Sequence, residues 1–196
     1  MGLKNSEHIG MIEIDPNNSN KIYVAAYGPL WKEGGERGLY FTKDGGKEWS
    51  LILETNKHTG INEVHIDPND PTIIYATAHQ RRRHVFTYVG GGVGSKIYKS
   101  SDAGKNWKEL KNGLPSAIKG RIGMDISPAN TDCLYALVEA ENNKQGLYFS
   151  KNKGESWNKV NKYVTSGNYY QEVFCDPLDQ NKVFFMDTWL HHTVDG

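Results

Sequence analysis

Four times along the chain an Asp-Pro-like turn is followed, eight positions after its first residue, by an aromatic in an apolar run. This self-similarity constrains the fold more than any other feature. The copies read DPNNSNKIY from Asp15, DPNDPTIIY from Asp67, SPANTDCLY from Ser127 and DPLDQNKVF from Asp176, ending on Tyr23, Tyr75, Tyr135 and Phe184. A second motif follows in three copies, in which Tyr40, Tyr98 and Tyr148 are each succeeded by Ser/Thr at +2, Asp/Asn at +4, Gly at +6 and Trp at +9. Its residues are Thr42, Asp44, Gly46 and Trp49, then Ser100, Asp102, Gly104 and Trp107, then Ser150, Asn152, Gly154 and Trp157. Thr193-Val194-Asp195-Gly196 reads as the front half of a fourth copy.

Repeat starts lie 52, 60 and 49 residues apart. That period suits one four-stranded antiparallel sheet per repeat, and hence a propeller blade. Helical periodicity is nearly absent, and the short runs rich in Ile, Val, Tyr and Phe are punctuated by Gly, Asn, Asp and Pro, as in all-β chains. The expectation is an all-β, partial β-propeller of about four repeats, at roughly 8–57, 58–117, 118–166 and 167–196, the last truncated. In each repeat strand A ends at the Asp-Pro turn, B carries the aromatic, C ends at the Ser/Thr and D starts at the Trp. Because the fourth copy stops before its Gly and Trp, the chain is expected to be a segment of a larger propeller whose further blades come from the full-length polypeptide.

Ser/Thr-x-Asp-x-Gly-x-x-Trp is a hairpin device. The carboxylate accepts backbone N–H groups of the turn, Gly supplies a positive φ, and the Trp packs back beneath the loop. Asn152 makes the same turn without a charge, which is hard to reconcile with a catalytic carboxylate there, so the motif is assigned to the scaffold.

These repeats resemble the Asp-box, or BNR-repeat, β-propellers, a group that includes sialidases, xyloglucanase-type glycoside hydrolases and the sortilin ectodomain. GLYFTKDGGKEW, HQRRRHVF, GRIGMDISP and DPLDQNKVFFMDTW are most similar to bacterial sortilin-like proteins often labelled glycosyl hydrolases. The resemblance implies the fold and an extracytoplasmic location, periplasmic or secreted, although MGLKNSEHIG lacks the apolar core of a signal peptide. Activity transfers less well than fold across such families.

Lys and Arg number 23 against 23 Asp and Glu, a balance that argues against nucleic-acid partners and polybasic membrane binding. No apolar stretch approaches the roughly 18 residues of a membrane span. Cys133 and Cys175 have neither disulfide-framework nor metal-ligand spacing, and His191-His192 would point to opposite sides of a strand. The Gly90–Gly94 run lacks the strand-to-helix context of a phosphate loop. No metal and no cofactor are expected.

Function is expected where loop length varies. The A–B and C–D turns are constant, whereas the distance from the B aromatic to the C aromatic position runs 17, 23, 13 and 7, and variable loops on a rigid scaffold are where binding sites are built. Arg81, Arg82 and Arg83, followed by Phe86 and Tyr88, offer forks for carboxylate, sulfate or phosphate beside sugar-stacking rings, or else surface ion pairs. Trp31 and Trp189 are carbohydrate platforms or packing residues. Along strand A, Met11, Glu63, Gly123 and Glu172 are equivalent, with Ile9, Ile61, Arg121 and Tyr170 two residues earlier. Glu63 and Glu172 are the candidate carboxylate pair of a hydrolase, and Arg121 and Tyr170 candidate anion-orienting groups, unless these residues only line a wet channel. The leading expectation is a recognition or scaffold module binding a glycan or peptide on its variable-loop face. The alternatives are a sialidase- or xyloglucanase-like glycoside hydrolase and an assembly factor.

Overall fold

A computed structural model describes residues 2–165 and 167–196. Met1, and Ser166 of the VTSGNYY connection at the third repeat boundary, lie outside the described residues. The strands are β1 (Ile9–Ile14), β2 (Ile22–Ala26), β3 (Gly38–Thr42), β4 (Ser50–Leu53), β5 (Thr59–Ile66), β6 (Ile74–Gln80), β7 (Arg82–Arg83), β8 (Tyr88–Val89) and β9 (Lys96–Ser100), followed by β10 (Lys108–Leu110), β11 (Lys119–Ile126), β12 (Leu134–Ala140), β13 (Gly146–Ser150), β14 (Asn158–Asn161), β15 (Glu172–Cys175), β16 (Val183–Met186) and β17 (Leu190–Thr193).

They form antiparallel sheets β1-β2-β3-β4, β5-β6-β9-β10 and β11-β12-β13-β14, a three-stranded sheet β15-β16-β17, and a small hairpin β7-β8 inserted after β6. This is the all-β blade architecture of a propeller. The chain divides into two compact units, Met1–Glu109 and Leu110–Gly196.

Every A–B turn is seven residues long, at 15–21, 67–73, 127–133 and 176–182. Each has the same closing bonds. In the first, Asp15 N donates to Lys21 O at 3.0 Å and Lys21 N to Asn18 O at 2.9 Å; in the third, Ser127 N donates to Cys133 O and Cys133 N to Asn130 O, both at 2.9 Å. The Asp carboxylate adds an Asx turn, accepting Asn17 N at 2.8 Å, Asn69 N at 2.9 Å and Leu178 N at 2.9 Å.

The C–D turns at 43–49, 101–107 and 151–157 are also seven residues each. In all three the hydroxyl donates to the Asp or Asn oxygen, at 2.7, 2.8 and 2.9 Å, and accepts the glycine N–H at 3.0, 2.9 and 2.9 Å. The glycines Gly46, Gly104 and Gly154 have φ of 91°, 85° and 81°, a region costly for any side chain. The indole N–H groups of Trp107 and Trp157 close the loop on the carbonyls of Gly104 and Gly154, each at 3.1 Å. In the fourth copy the Thr193 hydroxyl donates to Asp195.

Backbone and side-chain donors from Asn106 hold the Asp102 carboxyl down at about 2. A depressed folded-state pKa means that this anchor contributes fully above the ordinary carboxyl range and is lost as the pH falls towards 2. Asp102→Ala is expected to lower the melting temperature at neutral pH. Asp102→Asn should keep the turn, as Asn152 does, and remove part of the acid sensitivity. Thermal melts of the three proteins between neutral pH and pH 2 check this, and an Ala variant melting like wild type would overturn it.

In unit 1 the core joins Tyr23, Ala25 and Leu39 to Ile61, Val64, Ile74 and Ala76. In unit 2 Tyr135, Leu137 and Leu147 meet Val173, Val183 and Phe185. Strand A of one repeat lies against strand A of the next within each unit, and small residues set the spacing: a Cβ on Gly10 would sit 2.3 Å from the carbonyl oxygen of Asn62, and one on Gly123 1.9 Å from that of Gln171.

Candidate functional site

The connections that follow the B strands differ in every repeat: 27–37, 81–95, 141–145 and 187–189. Four positions beyond the B aromatic, at the end of the B strand or just after it, stand Tyr27, His79, Glu139 and Thr188.

In unit 1 Tyr27 and His79 meet. The Tyr27 hydroxyl bonds His79 Nδ1, and His79 Nε2 lies 2.9 Å from the carbonyl oxygen of Gly90. A carbonyl only accepts, so Nε2 carries a proton towards Gly90, and in the neutral ring Nδ1 then accepts the hydrogen bond of the Tyr27 hydroxyl. Both residues are buried. The Arg81 guanidinium lies 3.4 Å from the Tyr27 ring centroid, a cation–π contact. Buried Arg37 fixes the whole loop, donating to the carbonyls of Gly34 at 2.9 Å, Tyr27 at 2.8 Å, Lys32 at 3.1 Å and Pro29.

The arginine run is therefore distributed, not stacked on one side. Arg81 covers Tyr27. Arg82 reaches Glu33 at 3.6 Å, and Arg83 stands 5.1 Å from the Tyr88 ring centroid. Pairing of Arg82 with Val89 and Arg83 with Tyr88 makes the β7-β8 hairpin, and Arg83 N donates to the Leu30 carbonyl at 2.9 Å. At the hairpin tip Val85 is 83% and Phe86 96% exposed, and Trp31, next to Leu30, is 58% exposed.

In unit 2 Arg121 is central. Its guanidinium bonds Glu172 and donates to the Tyr169 carbonyl at 3.4 Å, while its backbone N–H donates to Glu139 at 3.1 Å. Burial pushes the Glu139 carboxyl up, and the Arg121 N–H only partly offsets this. Gln171, fully buried with φ of 105°, donates to the carbonyls of Arg121 at 2.8 Å and Leu137 at 3.0 Å, and accepts from Thr165 at 3.0 Å. Tyr170 is half-exposed, and Trp189 stands 74% exposed.

Of the candidate pair, Glu172 is thus held by Arg121, whereas Glu63 belongs to unit 1, is buried, and lies 3.6 Å from His65. His191 and His192 diverge along β17, against Tyr163 and Phe184 respectively. Among the described residues no group of three or more His, Cys, Asp or Glu is arranged to hold a metal. No helix among them is long and apolar enough to cross a membrane. Residue-by-residue reading missed Tyr27, His79, Arg37, Glu139 and Gln171; the shared position four beyond the B aromatic would have found three of them.

The family model described as Sortilin, neurotensin receptor 3 (Sortilin-Vps10) matches residues 6–192. This chain belongs to the Sortilin-Vps10 family. The sortilins of Rattus norvegicus and Mus musculus are each 31% identical to it over 133 residues, which is 66% of this Sortilin-Vps10 chain and 14% of the length of those proteins. Two solved structures share the fold. The GH74 xyloglucanase of Xanthomonas campestris superimposes with a TM-score of 0.68 at 16% identity, over 96% of this chain and 27% of its own. The GH74 enzyme of Niastella koreensis gives 0.66 at 17% identity, over 96% and 28%.

Proposed function

We propose that this chain is a recognition module that binds a glycan or peptide through the connections following its B strands, in an extracytoplasmic setting. The observation that carries this reading is the division of labour between the two kinds of loop. The seven-residue turns are built alike around the same internal hydrogen bonds, whereas the variable connections present Trp31, Val85 and Phe86 in unit 1 and Trp189 in unit 2 to solvent. Large exposed apolar side chains beside fixed polar groups mark interaction sites.

Glycan and peptide arrays, each followed by a turnover assay on the ligands that bind, test the reading. Binding without turnover is expected, and a Trp31→Ala/Phe86→Ala double variant should bind at least about tenfold more weakly, since truncating aromatic anchors costs upwards of about 1.4 kcal/mol. Unchanged affinity in that variant, with a wild-type melt, would count against the site.

A second reading, glycoside hydrolysis, is favoured by one feature. Glu139 and Glu172 both contact Arg121, yet burial drives the first towards its neutral form while the second has an arginine partner, the opposed environments that an acid and a carboxylate partner need. The GH74 likeness belongs to the same reading. Turnover abolished by Glu139→Gln or Glu172→Gln with binding retained would establish it in place of the recognition module.

A further inference from the structure

We propose that the cleft beside β7 binds the acidic group of a sugar, a uronate carboxylate or a sugar sulfate. The inference rests on the recognition reading above and gives it a ligand class.

The cleft, of about 230 Å3, is lined by His58, Gln80, Arg81, Arg82, His84 and Val89. All but Val89 carry nitrogen donors, and the two guanidiniums have no acceptor to offer, so the lining is complementary to an oxyanion. The donors are also held in place. Arg81 is stacked on Tyr27, whose hydroxyl is tied to His79 and whose carbonyl is tied to Arg37. Arg82 sits in the backbone ladder opposite Val89, and Gln80 accepts the Gly94 N–H at 3.1 Å. Groups fixed before the ligand arrives lose little freedom on binding it.

The same cluster already attracts a carboxylate from within the chain. Glu33 lies 3.1 Å from Lys57, 3.6 Å from Arg82 and 3.8 Å from His58. Glu33 is itself about half exposed, so it does not seal the cleft.

The surroundings favour a sugar over a peptide. Phe86 is almost wholly exposed at the tip of the β7-β8 hairpin, and Trp31 is exposed on the loop to which that hairpin is bonded through Arg83 and Leu30. Flat apolar rings beside polar forks suit a pyranose, which has apolar faces and a polar rim. Peptide side chains are instead read by apolar pockets along a strand edge or groove, and Val89 is the one apolar residue in this lining.

Calorimetric titration of the whole chain tests the inference with matched probes: a glucuronate oligosaccharide and its carboxyl-reduced form, a sulfated oligosaccharide and its desulfated form, and an acidic peptide. One acidic sugar, carboxylate or sulfate, is expected to bind about tenfold or more tightly than its neutral counterpart. The advantage should shrink as salt rises. Arg82→Gln should abolish the advantage of the acidic sugar over its neutral counterpart, with the thermal melt as the control for folding, and Arg82→Lys should restore it only in part, because the charge returns without the fork. Equal binding of neutral and acidic sugars, an Arg82→Gln variant that keeps the preference, or a peptide that binds as tightly as the sugars would each overturn the inference. Sugar binding that ignores charge and Arg82 but is lost in Trp31→Ala/Phe86→Ala would remove the acidic-group assignment and leave the recognition reading standing. Sugar binding indifferent to all of these variants would remove both.

Discussion

Trp157→Ala is expected to destabilise the protein by about 3–5 kcal/mol, the cost of emptying a large buried aromatic site. Trp157 is 2% exposed. Its indole N–H is committed to the Gly154 carbonyl at 3.1 Å, and its backbone N–H to Asn112 O at 2.9 Å. On the other side, Gly113 approaches so closely that a Cβ there would meet the Trp157 carbonyl oxygen at 1.8 Å. Leu110 packs on the same glycine as the indole, Gly154, its Cδ1 lying 2.8 Å from where a Cβ there would be. Trp49, equivalent in sequence, is only partly buried, so Trp49→Ala should cost less. Urea denaturation of the two variants measures both values, and equal losses would show that the motif's tryptophans act through something other than burial.

Arg37→Ala is expected to cost roughly 2–5 kcal/mol, because it strips donors from the carbonyls of Tyr27 and Pro29, to which its bonds are buried. Its guanidinium serves the carbonyls of Tyr27, Pro29, Lys32 and Gly34, so one side chain sets the path of the 27–37 connection. The fork accounts for this: a lysine has no planar set of donors to reach four carbonyls at once, and Arg37→Lys should recover only a minor part of the loss. The effect should also extend beyond stability. Tyr27 carries Arg81 on its ring and His79 on its hydroxyl, so releasing the loop releases the cleft. Denaturation by urea reads the first effect, and affinity for the array ligand the second. Stability lost with affinity intact would separate the loop from the binding site.

What was legible in the sequence follows from how far apart the interacting residues lie. The hairpin motif is readable because its bonds stay inside it: Ser100 to Asp102, Ser100 to Gly104, Asp102 to Asn106. The Asp-Pro turns are readable for the same reason, as Asp67 to Asn69 shows. The site is built from pairs that no local pattern links. Tyr27 and His79 are 52 residues apart, and Arg121 and Glu172 51 apart. Each pair spans about one repeat, so the repeat itself brings them together, yet nothing in either neighbourhood announces the partner. Glu63 illustrates the converse. It faces the residue two beyond the B aromatic, as Glu172 does, but its burial is a tertiary property that alternation along β5 does not encode.

The central claim is that ligand contacts fall on the variable connections and spare the seven-residue turns. Hydrogen-exchange mapping of the chain, with and without its tightest array ligand, tests this most directly. Slowed exchange is expected in 27–37 and 81–95, with 43–49, 101–107 and 151–157 unchanged. Protection confined to those three turns, with the variable connections exchanging as in the free protein, would contradict the account.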